Sequence, residues 1–301
     1  MAERTVLITG GTSGLGLRAA AELASDPSWH VVVTGRDAAR TRTAAARVDA
    51  EPELLDLASL EDVRSFAGRL AAGTRPPLHA LVCNAGIQIV SGLTFTPDGF
   101  ERTFAVNHLG HFLLVNLLLG RLTEPARIVF VTSGTHDPAR RTGMPSPRYT
   151  DARSLAHPEA EGRDTSGDGR LRYTTSKLCN VLTAYELARR LEGRESGKTT
   201  VNAFDPGLMP GSGLARDSGP VQRFAWRYLM PALTLLPINA HTTRSSGKAL
   251  ARLVADPALE GVSGKYFEGT RDARSSIDSY NTEIARELWK TSAELVHLDS
   301  H

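Results

Sequence analysis

Tyr173 and Lys177 stand four positions apart in the stretch Tyr173-Thr174-Thr175-Ser176-Lys177. On a helix, positions i and i+4 share a face, so the spacing sets a lysine ammonium beside a phenol. A free tyrosine, with a pKa near ~10, is a poor proton donor or acceptor at neutral pH, and a neighbouring cation lowers that value by stabilising the phenolate. The pair therefore reads as a candidate acid–base device. Tyr and Lys are ordinary helix residues, and the spacing gains weight only from what lies upstream. There, Thr9-Gly10-Gly11-Thr12-Ser13-Gly14-Leu15-Gly16 follows an apolar run and opens a helical one. Glycines in such a turn let the backbone approach a phosphate, and the helix N-terminus adds unpaired N–H donors and a positive dipole end. A plain tight turn is the competing reading of the glycines alone. With the Tyr/Lys pair behind it, the turn points to hydride chemistry on a nicotinamide dinucleotide.

The second apolar run ends in Thr34-Gly35-Arg36-Asp37, where a carboxylate would be expected for a ribose 2′-hydroxyl. Arg36 suits a 2′-phosphate and can stack on adenine, while Gly35 leaves room, so NADP(H) is expected over NAD(H). Asp37 is expected to cap the following helix.

The elements that must position these groups alternate from the first residues. Strands are expected at Thr5–Thr9, Val31–Thr34, Glu53–Asp56, Leu78–Cys83, Ile128–Thr132 and Thr200–Phe204. Helices are expected at Leu17–Ala24, Ala38–Arg47, Leu60–Leu70, Phe100–Leu122 and Tyr173–Leu191, with a helical tail over Ile277–Leu298. Such βα alternation without a linker argues for one α/β domain, residues 1–301, built on a doubly wound parallel sheet in a three-layer α/β/α arrangement. Two stretches break the rhythm. Residues 138–172, rich in Pro, Gly, Arg, Asp and Ser, read as a long loop insertion. Residues 209–239 mix Gly, Pro and large apolar side chains and read as a substrate lid.

Composition narrows the class. Among 301 residues, Lys+Arg 35 against Asp+Glu 33 gives a net charge of +2, which supports neither a nucleic-acid nor an acidic-membrane partner. The longest apolar stretch, Phe224–Ile238, is broken by Arg227, Pro231 and Pro237 and is too short to span a bilayer. The N-terminal residues enter a strand pattern at once, so no signal peptide is expected and the location is expected to be cytoplasmic. The 2 Cys, Cys83 and Cys179, lie in apolar runs and read as buried reduced thiols. His108 and His111 lack a third ligand, so no metal is expected.

Over nearly its whole length the chain resembles the short-chain dehydrogenase/reductases. The resemblance rests on Thr9–Gly16, Asp56-Leu57, Asn84-Ala85-Gly86, Asn107, Ser133, Tyr173 with Lys177, and Pro206-Gly207, all in order. It implies a Rossmann fold and a catalytic set of Asn107, Ser133, Tyr173 and Lys177. The cofactor contacts it implies are Thr9, Gly10, Thr12, Ser13, Gly14, Leu15, Gly16, Arg36, Asp56, Leu57, Asn84, Ala85, Gly86, Asn107, Tyr173, Lys177, Pro206 and Gly207. In these roles Tyr173 donates the proton, Lys177 lowers the phenol pKa and binds the nicotinamide ribose, Ser133 orients the substrate oxygen, and Asn107 holds a water linking Lys177 to solvent. Asp56 and Asn84 line the adenine side, with Asn84 also tying neighbouring strands. Ser133, His136, Leu208, Trp226 and Met230 are the candidate substrate contacts; Arg140 and Arg141 read as solvated.

Asn107-His108-Leu109-Gly110-His111-Phe112 and Ser176-Lys177-Leu178-Cys179-Asn180 look like the retinol dehydrogenase and light-dependent protochlorophyllide reductase groups. The Ser133-to-Tyr173 separation and Ala285-Arg286-Glu287-Leu288-Trp289 look most like the latter. Two positions depart from that group: Leu208 stands where its members have cysteine, and Gly86 where they have alanine. The expectation is an NADPH-dependent reductase of a ketone or aldehyde, with a bulky, largely apolar small-molecule substrate suggested by the lid. A protochlorophyllide-type C=C reductase is the enzymatic alternative. A non-catalytic NADP(H) sensor is the alternative of another class, disfavoured because such proteins typically lose the Tyr/Lys pair. Oligomer and monomer are both left open.

Overall fold

The computed structural model describes residues 2–159, 164–192, 198–209 and 241–298. Trp226, Met230 and the expected lid beyond Met209 lie outside the described residues.

Eight strands form one sheet: β1 (Arg4–Ile8), β2 (Trp29–Gly35), β3 (Glu51–Leu54), β4 (Leu78–Cys83), β5 (Leu122–Val131), β6 (Thr199–Asp205), β7 (Tyr266–Glu268) and β8 (Arg271–Ala273). Their order is β3-β2-β1-β4-β5-β6-β7-β8, parallel from β3 to β7, with β8 returning antiparallel. The buried strands are β-branched and apolar on both faces, as helix-covered parallel strands must be. Alternate side chains feed opposite cores: Leu7, Val32, Leu81, Ile128 and Phe130 face one, and Val6, Ile8, Val31, Val33, Val82 and Val129 the other.

The first core is closed by α3 (Leu60–Ala72), α5 (Gly110–Leu119), α7 (Ser166–Leu191) and α9 (Thr282–Leu295). The second is closed mainly by α1 (Gly14–Ala24) and α8 (Thr243–Ala255), with a contribution from α2 (Ala38–Ala46). The architecture is the expected doubly wound, three-layer one. The strand order reverses between β1 and β4, which opens a crevice at the carboxyl ends of these strands. Among the described residues, no helix is long and apolar enough to cross a membrane.

Two elements differ from expectation. The helix expected over Phe100–Leu122 is α4 (Arg102–Phe104), a π-helical turn at Ala105–Leu109, and α5, after which β5 starts at once. The helix carrying Tyr173 starts at Ser166, inside the expected loop insertion, and a short α6 (Ala152–Ala156) precedes it. Thr165 and Asp168 form a capping box that starts α7. Gly169, within the stretch read as loop, serves close packing instead: a Cβ there would run into the Ile89 carbonyl oxygen.

Candidate active site

The glycine turn leaves β1 and enters α1 at the crevice. Gly10 has φ +66°, and a Cβ on it would stand 2.9 Å from Ala85 Cα, so only glycine fits both the conformation and the approach of the β4 loop. A Cβ on Gly16 would meet Asn84 Nδ2 at 2.5 Å. Asn84 donates through Nδ2 to the Thr9 carbonyl at 2.8 Å, and its N–H donates to Thr9 Oγ1 at 2.9 Å. This ties β1 to β4, as expected of Asn84. Asp37 accepts from Arg40 N–H at 2.8 Å and caps α2, again as expected. Arg36 is exposed and forms no hydrogen bond or ion pair with the described residues, so its guanidinium is available at the crevice rim. Asp56 accepts from the Ala58 N–H at 3.0 Å, and Leu57 is buried at the start of the same turn.

Catalytic candidates arrive from three elements. Ser133 follows β5, Tyr173 and Lys177 lie one turn apart on α7, and Asn107 sits on the π-helical turn. The phenol of Tyr173 lies beside Ser133, whose Oγ accepts from the Thr135 N–H at 3.3 Å. Lys177 Nζ donates to the Val131 carbonyl at 3.2 Å and lies 5.6 Å from the Tyr173 ring centroid. Ser176, between them, donates to the Tyr173 carbonyl at 2.7 Å and accepts from Asn107 Nδ2 at 2.9 Å, which locks α7 to the π turn. Asn107 also clasps Ile87, donating to its carbonyl at 2.9 Å and accepting from its N–H at 2.8 Å. The Asn107 side chain is therefore a clamp on the β4 loop, where the sequence suggested a water holder. A Cβ on Gly86 would stand 3.3 Å from Lys177 Nζ and 3.4 Å from Asn107 Oδ1, so glycine leaves this corner open. Pro206 and Gly207 follow β6 at the same edge, with Leu208 half-buried beside them.

The electrostatics correct one expectation. With Lys177 alongside, the Tyr173 pKa was expected below the ordinary tyrosine value; burial, joined by the charge of Asp205, instead holds the phenol above it, and Ser133 opposes them only in part. Burial pushes Lys177 down to about 8, with Asp205 acting the other way. The arrangement thus holds a neutral phenol that can give a proton.

His136, expected near substrate, is fully buried. Its Nδ1–H donates to the Ser133 carbonyl at 2.7 Å and its Nε2 accepts from the Ser276 N–H at 3.1 Å, so it braces the Ser133 loop. Arg140, read as solvated, is paired with Glu268 at 2.6 Å, Asp137 at 3.5 Å and Asp205 at 3.8 Å. His111 accepts at Nε2 from the Thr9 hydroxyl at 2.8 Å and donates from Nδ1 to the Asn107 carbonyl at 3.2 Å, linking the glycine turn to the π turn. His108 meets Ser292 Oγ at 2.8 Å on α9. Cys83 and Cys179 are buried free thiols, as expected. A surface cavity bounded by Tyr185, Glu192, Gly264 and Tyr280 lies toward the far end of α7 and takes no part in this site.

Sequence reasoning missed Asp205. The signal was present: a lone acid closing the apolar strand Thr200–Phe204 directly before Pro206-Gly207.

The family model described as short chain dehydrogenase matches residues 4–143. Protochlorophyllide reductase A, chloroplastic, of Oryza sativa subsp. japonica is 37% identical over 97% of this chain and 80% of its own length. The chain belongs to the short-chain dehydrogenase/reductase family. It is an oxidoreductase of that family. Protochlorophyllide reductase of Avena sativa is likewise 37% identical, over 97% of this chain and 99% of its own. Among solved structures, one described as a putative uncharacterized protein from Mycobacterium Paratuberculosis superposes with a TM-score of 0.72. It is 29% identical and covers 99% of this chain and 94% of its own.

Proposed function

We propose that this reductase transfers a hydride from NADPH to the carbonyl carbon of a bulky, largely apolar ketone or aldehyde, with Tyr173 as the proton donor. The observation that carries the reading is the buried Tyr173 phenol beside Ser133 and Lys177, at the edge where the glycine turn opens.

The residues present suit the cofactor. The turn from Gly10 to Gly16 and the start of α1 would receive the pyrophosphate, and Arg36 the 2′-phosphate. Asp56, Leu57 and the Asn84-Ala85-Gly86 loop would line the adenine side and the crevice floor, with Pro206-Gly207 closing the nicotinamide end. Lys177 would reach the nicotinamide ribose. When bound, the cofactor supplies the hydride. The chain supplies the rest. Ser133 hydrogen-bonds the substrate oxygen and fixes its orientation. Tyr173 passes its proton to that oxygen as negative charge develops there, and Lys177 steadies the phenolate left behind. Leu208 would supply part of an apolar wall.

A second reading is reduction of a C=C bond by the same residues. Its support is the similarity to protochlorophyllide reductases along the whole chain; Leu208, in place of the cysteine that group carries, weighs against the same substrate. Loss of NADPH absorbance across a panel of aromatic and polycyclic ketones, small hydroxyketones, enones and a chlorophyll-type porphyrin separates the two. Higher kcat/KM for polycyclic ketones than for hydroxyketones, with an alcohol product, is expected. Saturation of a C=C bond with the carbonyl untouched would move the assignment to the second reading. Absence of NADPH oxidation with every compound would contradict both.

A further inference from the structure

Thr9 in the glycine turn and Asn107 in the catalytic group are joined by a side chain that the chemistry above leaves unused. His111 stands one turn after Asn107, on α5, and is 1% exposed. Its Nε2 lies 2.8 Å from Thr9 Oγ1, and its Nδ1 lies 3.2 Å from the Asn107 carbonyl oxygen.

Hydrogen-bond accounting fixes which nitrogen carries the proton. The Thr9 hydroxyl has one proton to give and two lone pairs to offer. Both lone pairs are taken, by the Asn84 N–H at 2.9 Å and the Ala85 N–H at 3.0 Å. The proton has two acceptors within reach, His111 Nε2 at 2.8 Å and the Val82 carbonyl at 3.3 Å. That carbonyl already accepts the backbone N–H groups of Thr9 and Asn84, each at 3.0 Å, so the hydroxyl turns to the imidazole. Nε2 is then bare and accepts, while Nδ1 carries the proton and donates to the Asn107 carbonyl. An imidazolium would bring a second proton to a hydroxyl whose lone pairs are full. One neutral tautomer satisfies both ends.

These two bonds close a ring. From Thr9 the ring runs through Asn84 and Ala85 to Ile87, whose N–H and carbonyl are held by the Asn107 side chain at 2.8 and 2.9 Å. From Asn107 it returns through His111 to Thr9. The glycine turn, the β4 loop and the π-helical turn are thereby held in one frame. The frame reaches α7 through Ser176, which accepts from Asn107 Nδ2 at 2.9 Å and donates to the Tyr173 carbonyl at 2.7 Å. The π turn is where such a frame needs a brace. There the Gly110 N–H bonds the Ala105 carbonyl, so the ladder has slipped from the regular α register that would otherwise fix Asn107. Volume alone would be filled by a phenylalanine, without two ring nitrogens to satisfy in the core.

We propose that His111 is a positioning residue of the reaction, resting on the reductase reading above. It registers the glycine turn against the π turn, so that Asn107 keeps its aim on Ile87 and Ser176. In this way α7 presents Tyr173 in a fixed relation to the turn that receives the cofactor.

The test reads Asn107 before it reads turnover. The Asn107 side-chain amide signals, assigned by their loss in Asn107→Asp, are followed by hydrogen exchange in wild type, His111→Phe and His111→Gln with NADPH bound. The Leu114 backbone N–H, farther along α5, is the control. The Phe ring keeps the volume and removes both bonds; the Gln side chain can accept from Thr9 yet leaves the Asn107 carbonyl unserved. In wild type the nitrogen NMR signals of His111 should show a proton on Nδ1 and none on Nε2. In both variants the Asn107 amide should exchange at least about tenfold faster, with Leu114 unchanged. In both, kcat for NADPH-dependent reduction should fall by about tenfold or more, with KM for the ketone within about threefold of wild type. A proton on Nε2 in wild type, unchanged exchange at Asn107, equally faster exchange at Asn107 and Leu114, or an unchanged kcat overturns the proposal. Should His111→Phe fail to fold, His111→Gln decides alone by the same readings. The exchange readings need no substrate. If wild type reduces no compound of the panel and Asn107 alone loosens in the variants, the substrate reading fails and the hold of His111 on Asn107 stands.

Discussion

At the scale of single residues, chemistry and position coincide where a side chain acts on a ligand and part where it acts on another side chain. In the proposed reaction Arg36 belongs to the first kind. It is exposed, without a partner among the described residues, at the rim next to the glycine turn. Arg36→Leu should therefore weaken NADPH binding by about 1–3 kcal/mol and leave NADH binding nearly unchanged, because only NADPH carries the 2′-phosphate. Side-by-side fluorescence titrations measure this, and a wild type that prefers NADH would contradict the assignment. Residues of this kind were legible in the sequence. Tyr173, Lys177, Ser133 and the glycines announce themselves by type and spacing. Asp205, Arg140 and His136 did not, because their meaning lies in partners 60 to 140 positions away, such as Tyr266 for Asp205 and Ser276 for His136. A lone arginine in a polar loop reads as solvated until β7 brings Glu268 to it.

At the scale of elements, the π-helical turn and the early start of α7 decide the site's geometry. The turn at Ala105–Leu109 aims Asn107 at Ile87 and Ser176, so one side chain joins α5, α7 and the β4 loop. A period of 3.6 cannot announce such a turn, since the apolar pattern runs through it without a break. Similarly, Ser166-Gly167-Asp168-Gly169 carries loop composition, yet its capping box and the tight fit of Gly169 make it helix. On its other side the turn packs His108 and His111 away from water. Burial pushes His108 down to about 3 and His111 to about 4, well below the ordinary histidine value. The unfolded chain therefore takes up protons first as pH falls. The stability held by these neutral rings is complete above about pH 6.5 and is lost progressively towards pH 4, at roughly 1.4 kcal/mol per pH unit for each ring. Glu101, whose burial raises its pKa, works in the opposite sense at the lower end of that window. His108→Gln, which keeps a polar partner for Ser292 but cannot titrate, should flatten the fall of urea-unfolding stability between pH 6.5 and 5. An unchanged slope would show that His108 does not titrate on unfolding as described.

At the scale of the whole molecule, one topological fact gathers the site. The sheet reverses between β1 and β4, so the loops after β1, β4, β5 and β6 emerge along one edge, and α7 brings Tyr173 and Lys177 to it. The alternation of apolar runs and helical periods made this doubly wound plan readable from the sequence, including every strand from β1 to β6. The three-residue strands β7 and β8 escaped because they are too short to show a period, although β7 supplies both Tyr266 and Glu268 to the Asp205 network. In the proposed reaction, that edge sets the Tyr173 phenol beside the oxygen of the hydride acceptor. Tyr173→Phe keeps the ring and removes only the proton. Single-turnover oxidation of NADPH by the best substrate of the panel, compared in wild type and Tyr173→Phe alongside an NADPH titration, measures that role most directly. The expected result is a rate lower by roughly two to four orders of magnitude with NADPH affinity little changed. A near-normal rate in Tyr173→Phe would contradict the assignment of Tyr173 as the proton donor.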